Sequence, residues 1–225
     1  AIVLGDLLSA VAVALPERAG LDPAALARAR PYFDAARTEV MAGQALDLIA
    51  QADGPRSGRA EAEAVAELKT ARYTVARPTQ IGAALGGADE RLLAGLGRFG
   101  SCLGRAYQWV DDLLGVFGDP AVTGKPAGDD LSEGKRTVLI ASALERAAPA
   151  AAARLAGLLG RPGLTAADLA DARAILTDCG AVAATRQALA AAAAAAEAEL
   201  AALDLAQPGR TALAALAHAA VDRES

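Results

Sequence analysis

The sequence predicts an all-α protein. Apolar residues recur three and four apart through most of the chain, an Asp-Pro helix start stands at 22–23, and no alternating segment of useful length argues for a strand. With 225 residues the chain can bury a substantial core, and nothing in it reads as a linker between two cores, so one domain spanning 1–225 is expected.

The opening run AIVLGDLLSAVAVAL is the most apolar in the chain. It carries neither a basic leader nor a convincing cleavage site, Asp6 interrupts it, and it falls short of the ~20 residues a membrane span needs, so no transmembrane segment is expected. The chain begins without methionine and enters a helical pattern with no cap before it, so the expectation is that residues precede it. The next helix opens with Asp22 as N-cap and Pro23 at the first helical position, and Pro31 should break or kink it. The turn-rich DGPRSG at 53–58 separates it from RAEAEAVAELKTARYTVA, a helix expected to end at Arg77, before Pro78. From 89 to 118 the spread of small and apolar residues predicts one long helix buried on more than one side. A Gly/Pro-rich loop follows, then helices around 137–146, 149–159, 165–178, 180–203 and 209–222. The alanine-rich 187–203 has the highest helix propensity available.

Composition removes several classes of function. A net charge of −5 without a long basic run argues against nucleic acid, so any anion must be met locally. Cys102 and Cys179 form no disulfide framework and suit a reducing cytoplasm, as buried free thiols. His218 is the only histidine, so a His-based metal site, a Ser-His-Asp triad or a Cys-His dyad would rest on it alone.

The polar exceptions are informative. Gln108, Asp111 and Asp112 lie three and four apart and share a face of the long helix. Gln44 and Asp47 do the same on an earlier helix, and Lys69 and Thr70 are neighbours on a third. Lys125 and Lys135 flank the loop, whose glycines and proline let backbone amides approach a ligand closely. Trp109, Val110, Leu113 and Leu114 surround the aspartate pair, and burying bare carboxylates without a cation is costly. A phosphate-rich ligand accounts for the whole set: one or two carboxylates bring Mg²⁺ to it and lysines meet its remaining oxygens. Asp129, Asp130 and Glu133 also fit a DDxxE spacing but read as a loop feature, with Asp130 near the lysine site and the other two solvated.

The run YQWVDDLLGVFGDPAVTGKPAGDDLSEGKRT, residues 107–137, resembles the second aspartate-rich region of the trans-isoprenyl diphosphate synthases, or polyprenyl synthetases: Gln-x-x-Asp-Asp, then Gly-Lys-Pro and Gly-Lys. GQALDL and LKTARYTV resemble two further motifs of that family, in order, and the likeness covers roughly residues 1–220. The resemblance implies an isoprenoid-synthase-type helical bundle around a central cavity, usually a homodimer, with this chain as the C-terminal two-thirds of such an enzyme. It implies Mg²⁺-dependent transfer of an allylic diphosphate onto isopentenyl diphosphate by a short-chain synthase of the farnesyl or geranylgeranyl kind. On that resemblance Asp111 ligates Mg²⁺ and Asp112 supports it, while Lys69, Lys125 and Lys135 hold the allylic diphosphate. Thr70 and Gln108 face the developing allylic cation with oxygen dipoles, and Gln44 and Asp47 join the substrate-binding set.

Two departures stand out. Gly115 occupies the position where the family often has a third aspartate. The family's first aspartate-rich motif has no counterpart, because 111–112 and 129–130 are the only adjacent aspartate pairs. A non-catalytic helical partner of a complete synthase and a class I terpene cyclase on the same fold stay open beside the transferase. The lysines at 125 and 135 favour the transferase.

Overall fold

The protein is described by a computed structural model covering residues 2–53, 58–124, 126 and 128–222. Among the described residues the regular elements are all helical. In order they are α1 (Ile2–Arg18), α2 (Pro23–Asp53), α3 (Arg59–Val65), a π-helical segment (Ala66–Ala76), α4 (Arg77–Leu85), α5 (Glu90–Phe117), α6 (Pro120–Thr123) and α7 (Asp129–Ser132). Beyond them lie α8 (Val138–Arg146), α9 (Pro149–Leu158), α10 (Ala166–Asp178), α11 (Ala181–Ala202) and α12 (Gln207–Val221).

The central helix is α5, started by the Asp89 carboxylate, which accepts from the Leu92 amide. It packs against α11 on one side and the π-helical segment on another, as expected for a helix apolar all round. Leu96, Phe99 and Leu103 of α5 meet Ala196 and Leu200 of α11. Fully burying one such large side chain contributes about 1.5–3 kcal/mol. A second cluster joins Val116 at the end of α5 to Leu131, Leu139, Ile140, Leu155 and Leu176. It anchors α7 and α8 beneath the far end of α5, which is where the site lies.

On the side facing the π-helical segment, α5 presents Gly100 and Gly104. A Cβ on Gly100 would run into Ala76 backbone, and one on Gly104 into Ala71. The four-residue step on α5 thus opposes a five-residue step on the wider π turn, and the backbones touch.

The helix end expected before Pro78 is corrected, and of the break or kink expected at Pro31 the break does not occur. The helix is unbroken from 59 to 85: the Arg77 amide donates to the Arg72 carbonyl five residues back, and Pro78 falls in the first turn of α4. The π register relieves the ring's clash with the carbonyl four residues earlier, and a first-turn proline loses no needed donor. Pro31 does not break α2, which runs through it to Asp53. Packing along α4 and the π-helical segment holds the helix, and Arg28 ties it to α4 by donating to the Ala84 carbonyl at 3.2 Å. The Asp22 start is as expected, its carboxylate accepting from the Ala25 amide at 2.9 Å. The 119–136 stretch, expected as loop, contains the short helices α6 and α7, and α4 was not foreseen as an element of its own.

A charged cluster fixes the π-helical segment to α2. Glu39 takes Arg77 Nε at 2.7 Å and Arg72 Nη1 at 2.9 Å, and Arg72 Nε reaches Glu67 at 3.0 Å. Burial opposes the Glu39 carboxylate, yet hydrogen bonds and charge from Arg77 and Arg72 outweigh it and hold its pKa below the usual carboxylate range. No described helix is long and apolar enough to cross a membrane.

Candidate active site

An open cleft of about 240 Å³ lies between α2, the π-helical segment, α5 and the connection from α7 to α8. Asp47 comes from α2, Lys69 and Thr70 from the π-helical segment, and Gln108, Asp111 and Asp112 from α5; Asp130, Lys135, Arg136 and Thr137 close the far wall. Segments far apart in sequence therefore converge on one volume. π turns occur often at functional sites, and here the π register serves two neighbours at once: Lys69 reaches α2 while Thr70 reaches α5.

The hydrogen bonds set the direction of each group. Lys69 Nζ donates to Asp47 Oδ2 at 2.6 Å, and Gln51 holds the other Asp47 oxygen at 3.1 Å. Thr70 Oγ1 donates to Gln108 Oε1 at 2.5 Å, and Gln108 Nε2 donates to Asp112 Oδ1 at 2.7 Å. In this chain the Gln108 NH₂ faces the Asp112 carboxyl oxygen while its carbonyl accepts from Thr70. With its proton committed to Gln108, Thr70 offers the cleft oxygen lone pairs.

Asp112 is 1 % exposed, and its Oδ2 accepts from the Val138 amide at the first turn of α8, 3.1 Å away. Burial pushes its pKa up to about 7, the charges of Asp130 and Asp111 add to this, and the hydrogen bonds from Gln108 and Val138 oppose it. Both Asp112 oxygens are thus engaged by the protein. Asp111, partly exposed on the cleft, is the carboxylate of the pair placed to meet a ligand.

Lys135 Nζ lies 2.7 Å from Asp130 Oδ1 and 2.8 Å from Glu133 Oε2. Burial works against its charge, but the hydrogen bonds to these carboxylates prevail and raise its pKa above the ordinary lysine range. Asp130 is buried, and its carboxylate lies where a Cβ on Gly115 would sit. The missing side chain at 115 is therefore space filled from α7. Asp130 stands near the lysine site as the sequence suggested, whereas Glu133, expected in solvent, is exposed but paired with Lys135.

Of the residues singled out in the sequence, Asp47, Lys69, Thr70, Gln108, Asp111, Asp112 and Lys135 line the cleft. Gln44 does not: it lies partly buried on α2 one turn before Asp47, on the same face, and the cleft takes in Asp47 only. Lys125 lies outside the described residues. Sequence reasoning missed Arg136, whose only signal was its position between Lys135 and Thr137 in GKRT.

The described residues hold no cluster of three or more His, Cys, Asp or Glu arranged to cage a metal. The donor set instead fits Mg²⁺ held by one or two carboxylates with the oxygens of a phosphate ligand. Asp111 would hold the ion, and Asp112 would support it through the hydrogen-bonded frame of α5 and α8.

The chain that forms this helical frame matches a known class. The family model for polyprenyl synthetase matches residues 1–176, and the chain belongs to that family. It is 37 % identical over 186 residues to a geranylgeranyl diphosphate synthase of Mycobacterium tuberculosis, covering 80 % of this chain and 51 % of that protein. It is 34 % identical over 185 residues to a geranylfarnesyl diphosphate synthase of Aeropyrum pernix, covering 81 % of this chain and 56 % of that one. The structure of a Corynebacterium glutamicum geranylgeranyl pyrophosphate synthase, solved with isoprenyl diphosphate and magnesium, superposes with a TM-score of 0.94 at 38 % identity. That superposition covers 99 % of this chain and 63 % of the other. The chain thus spans little more than half the length of these curated relatives.

Proposed function

We propose that this chain carries the allylic-diphosphate side of a short-chain isoprenyl diphosphate synthase, which condenses an allylic diphosphate with isopentenyl diphosphate into a farnesyl- or geranylgeranyl-length product. The observation that carries the reading is the convergence of Lys69, Thr70, Gln108, Asp111 and Lys135 on one cleft. In the reaction the allylic C–O bond breaks and its electron pair leaves with the diphosphate. The double bond of isopentenyl diphosphate then attacks the allylic cation, and a proton is lost to restore an alkene. Lys69 and Lys135 meet the departing diphosphate with positive charge, and Mg²⁺ held at Asp111 supplies further charge neutralisation when bound. Thr70 and the Gln108 carbonyl direct oxygen lone pairs at the carbon end. The chain from Thr70 through Gln108 to Asp112 holds them without reorganisation when the cation forms.

The same reading gives a protein of the cytoplasm and a homodimer; the dimer is supported by α1, which buries none of its side chains and exposes Ile2, Val3, Leu4, Leu7 and Leu8. Light scattering should return twice the 22.5 kDa chain mass; a monomer would remove the dimer from the proposal.

Transfer from labelled isopentenyl diphosphate, with an allylic diphosphate and a Mg²⁺ titration, tests the reaction in the full-length protein. Asp111→Asn should lower the rate by about a hundredfold or more, with part restored by extra Mg²⁺. Asp129→Asn should leave it near normal. Near-normal transfer by Asp111→Asn would refute the metal assignment.

A further inference from the structure

We propose that Arg136 is a further diphosphate-binding residue of this cleft, a guanidinium held without an acceptor until the ligand brings one. The inference rests on the reading of the cleft as a diphosphate site. Three cations line it, and two are already answered within the protein: Lys69 by Asp47, Lys135 by Asp130 and Glu133. Arg136 differs. Its Nε and Nη1 are buried and have no hydrogen-bond partner.

Arg136 is partly exposed as a residue, but its two buried N–H groups forgo hydrogen bonds that water would supply, a cost an apolar side chain of similar volume does not carry. Burial accordingly works against the guanidinium and lowers its pKa from the usual arginine value, although arginine stays protonated throughout the working range of proteins. A group retained at such a cost is explained by an anion that arrives later. The two orphaned donors, Nε and Nη1, belong to one rigid planar guanidinium and point to different sides of it, so together they can reach two separate phosphate oxygens. Arg136 lines the same cleft as Lys69 and Lys135, so rotation about its flexible stem is enough to bring these donors to a ligand there. Lysine at 136 would supply charge without the guanidinium's planar set of donors.

The proposal predicts opposite signs for two measurements on one variant. Arg136→Met should melt at a higher temperature than wild type without ligand, because two buried N–H groups without partners are gone. In calorimetric titration with inorganic diphosphate and Mg²⁺ it should bind about tenfold or more weakly, with Arg136→Lys between the two. Wild-type affinity in Arg136→Met would overturn the inference and leave the cleft reading intact. A lower melting temperature together with weaker binding would also overturn it, since it would mark Arg136 as structural. Absence of binding by the wild type would overturn the cleft reading itself, and the inference with it.

Discussion

Asp112 shows at the level of one residue how the site is held. Its carboxyl is shut in among Gln108, the Val138 amide and two neighbouring carboxylates, and its pKa stands near 7. The folded protein therefore keeps a proton that the unfolded chain releases near the ordinary value of 3.8. Between about pH 4 and pH 7 the native state binds more protons than the unfolded one, so this group's contribution to stability declines as pH rises and levels off above 7. The full effect is on the order of 4 kcal/mol. Urea unfolding at pH 5 and pH 8 should show this decline in wild type and lose that part of it in Asp112→Asn. Parallel pH dependences would contradict the assignment. The pairing of Gln108, Asp111 and Asp112 on one face was legible in the sequence, because helical spacing determines it. The split between a buried Asp112 and a cleft-facing Asp111 was not, because it depends on where the first turn of α8 lands, a contact 26 residues away. Gly115 was legible as a missing carboxylate, but only the fold shows Asp130 filling its place.

Among the elements, the π-helical segment contributes most to the site and was least legible. LKTARYTVARP reads as an α-helix that must stop at a proline, and local sequence has no mark for the extra residue per turn that lets it continue. The reason lies across the interface, where the backbone at Ala71 and Ala76 presses onto Gly104 and Gly100. Gly104→Val should therefore force the helices apart. Overpacking against backbone destabilises by about 1–3 kcal/mol or more, and the same shift would pull Thr70 from Gln108. A melting temperature within a degree of wild type would show that the contact carries no such constraint. By contrast, α5 and α8 to α12 were legible within a few residues, since their periodicity and caps agree with their packing. The α6 and α7 turns were hidden by a composition shared with irregular loops.

Over the whole molecule, three short motifs on separate helices form one cleft, and a fourth element brings Lys135, Asp130 and Arg136 to its far wall. The residue types were readable because diphosphate chemistry needs both cations and a carboxylate. Their pairing was not: Lys69 with Asp47 and Lys135 with Asp130 are contacts between elements, or across a turn, that spacing does not show. The central claim is that this cleft binds diphosphate together with Mg²⁺ through Asp111, and calorimetric titration of the protein with inorganic diphosphate over a series of Mg²⁺ concentrations tests it most directly. The account predicts saturable binding at one site that strengthens with Mg²⁺, weakens about tenfold or more in Asp111→Asn and is unchanged in Asp129→Asn. Binding indifferent both to Mg²⁺ and to Asp111, or no binding at all, would contradict it.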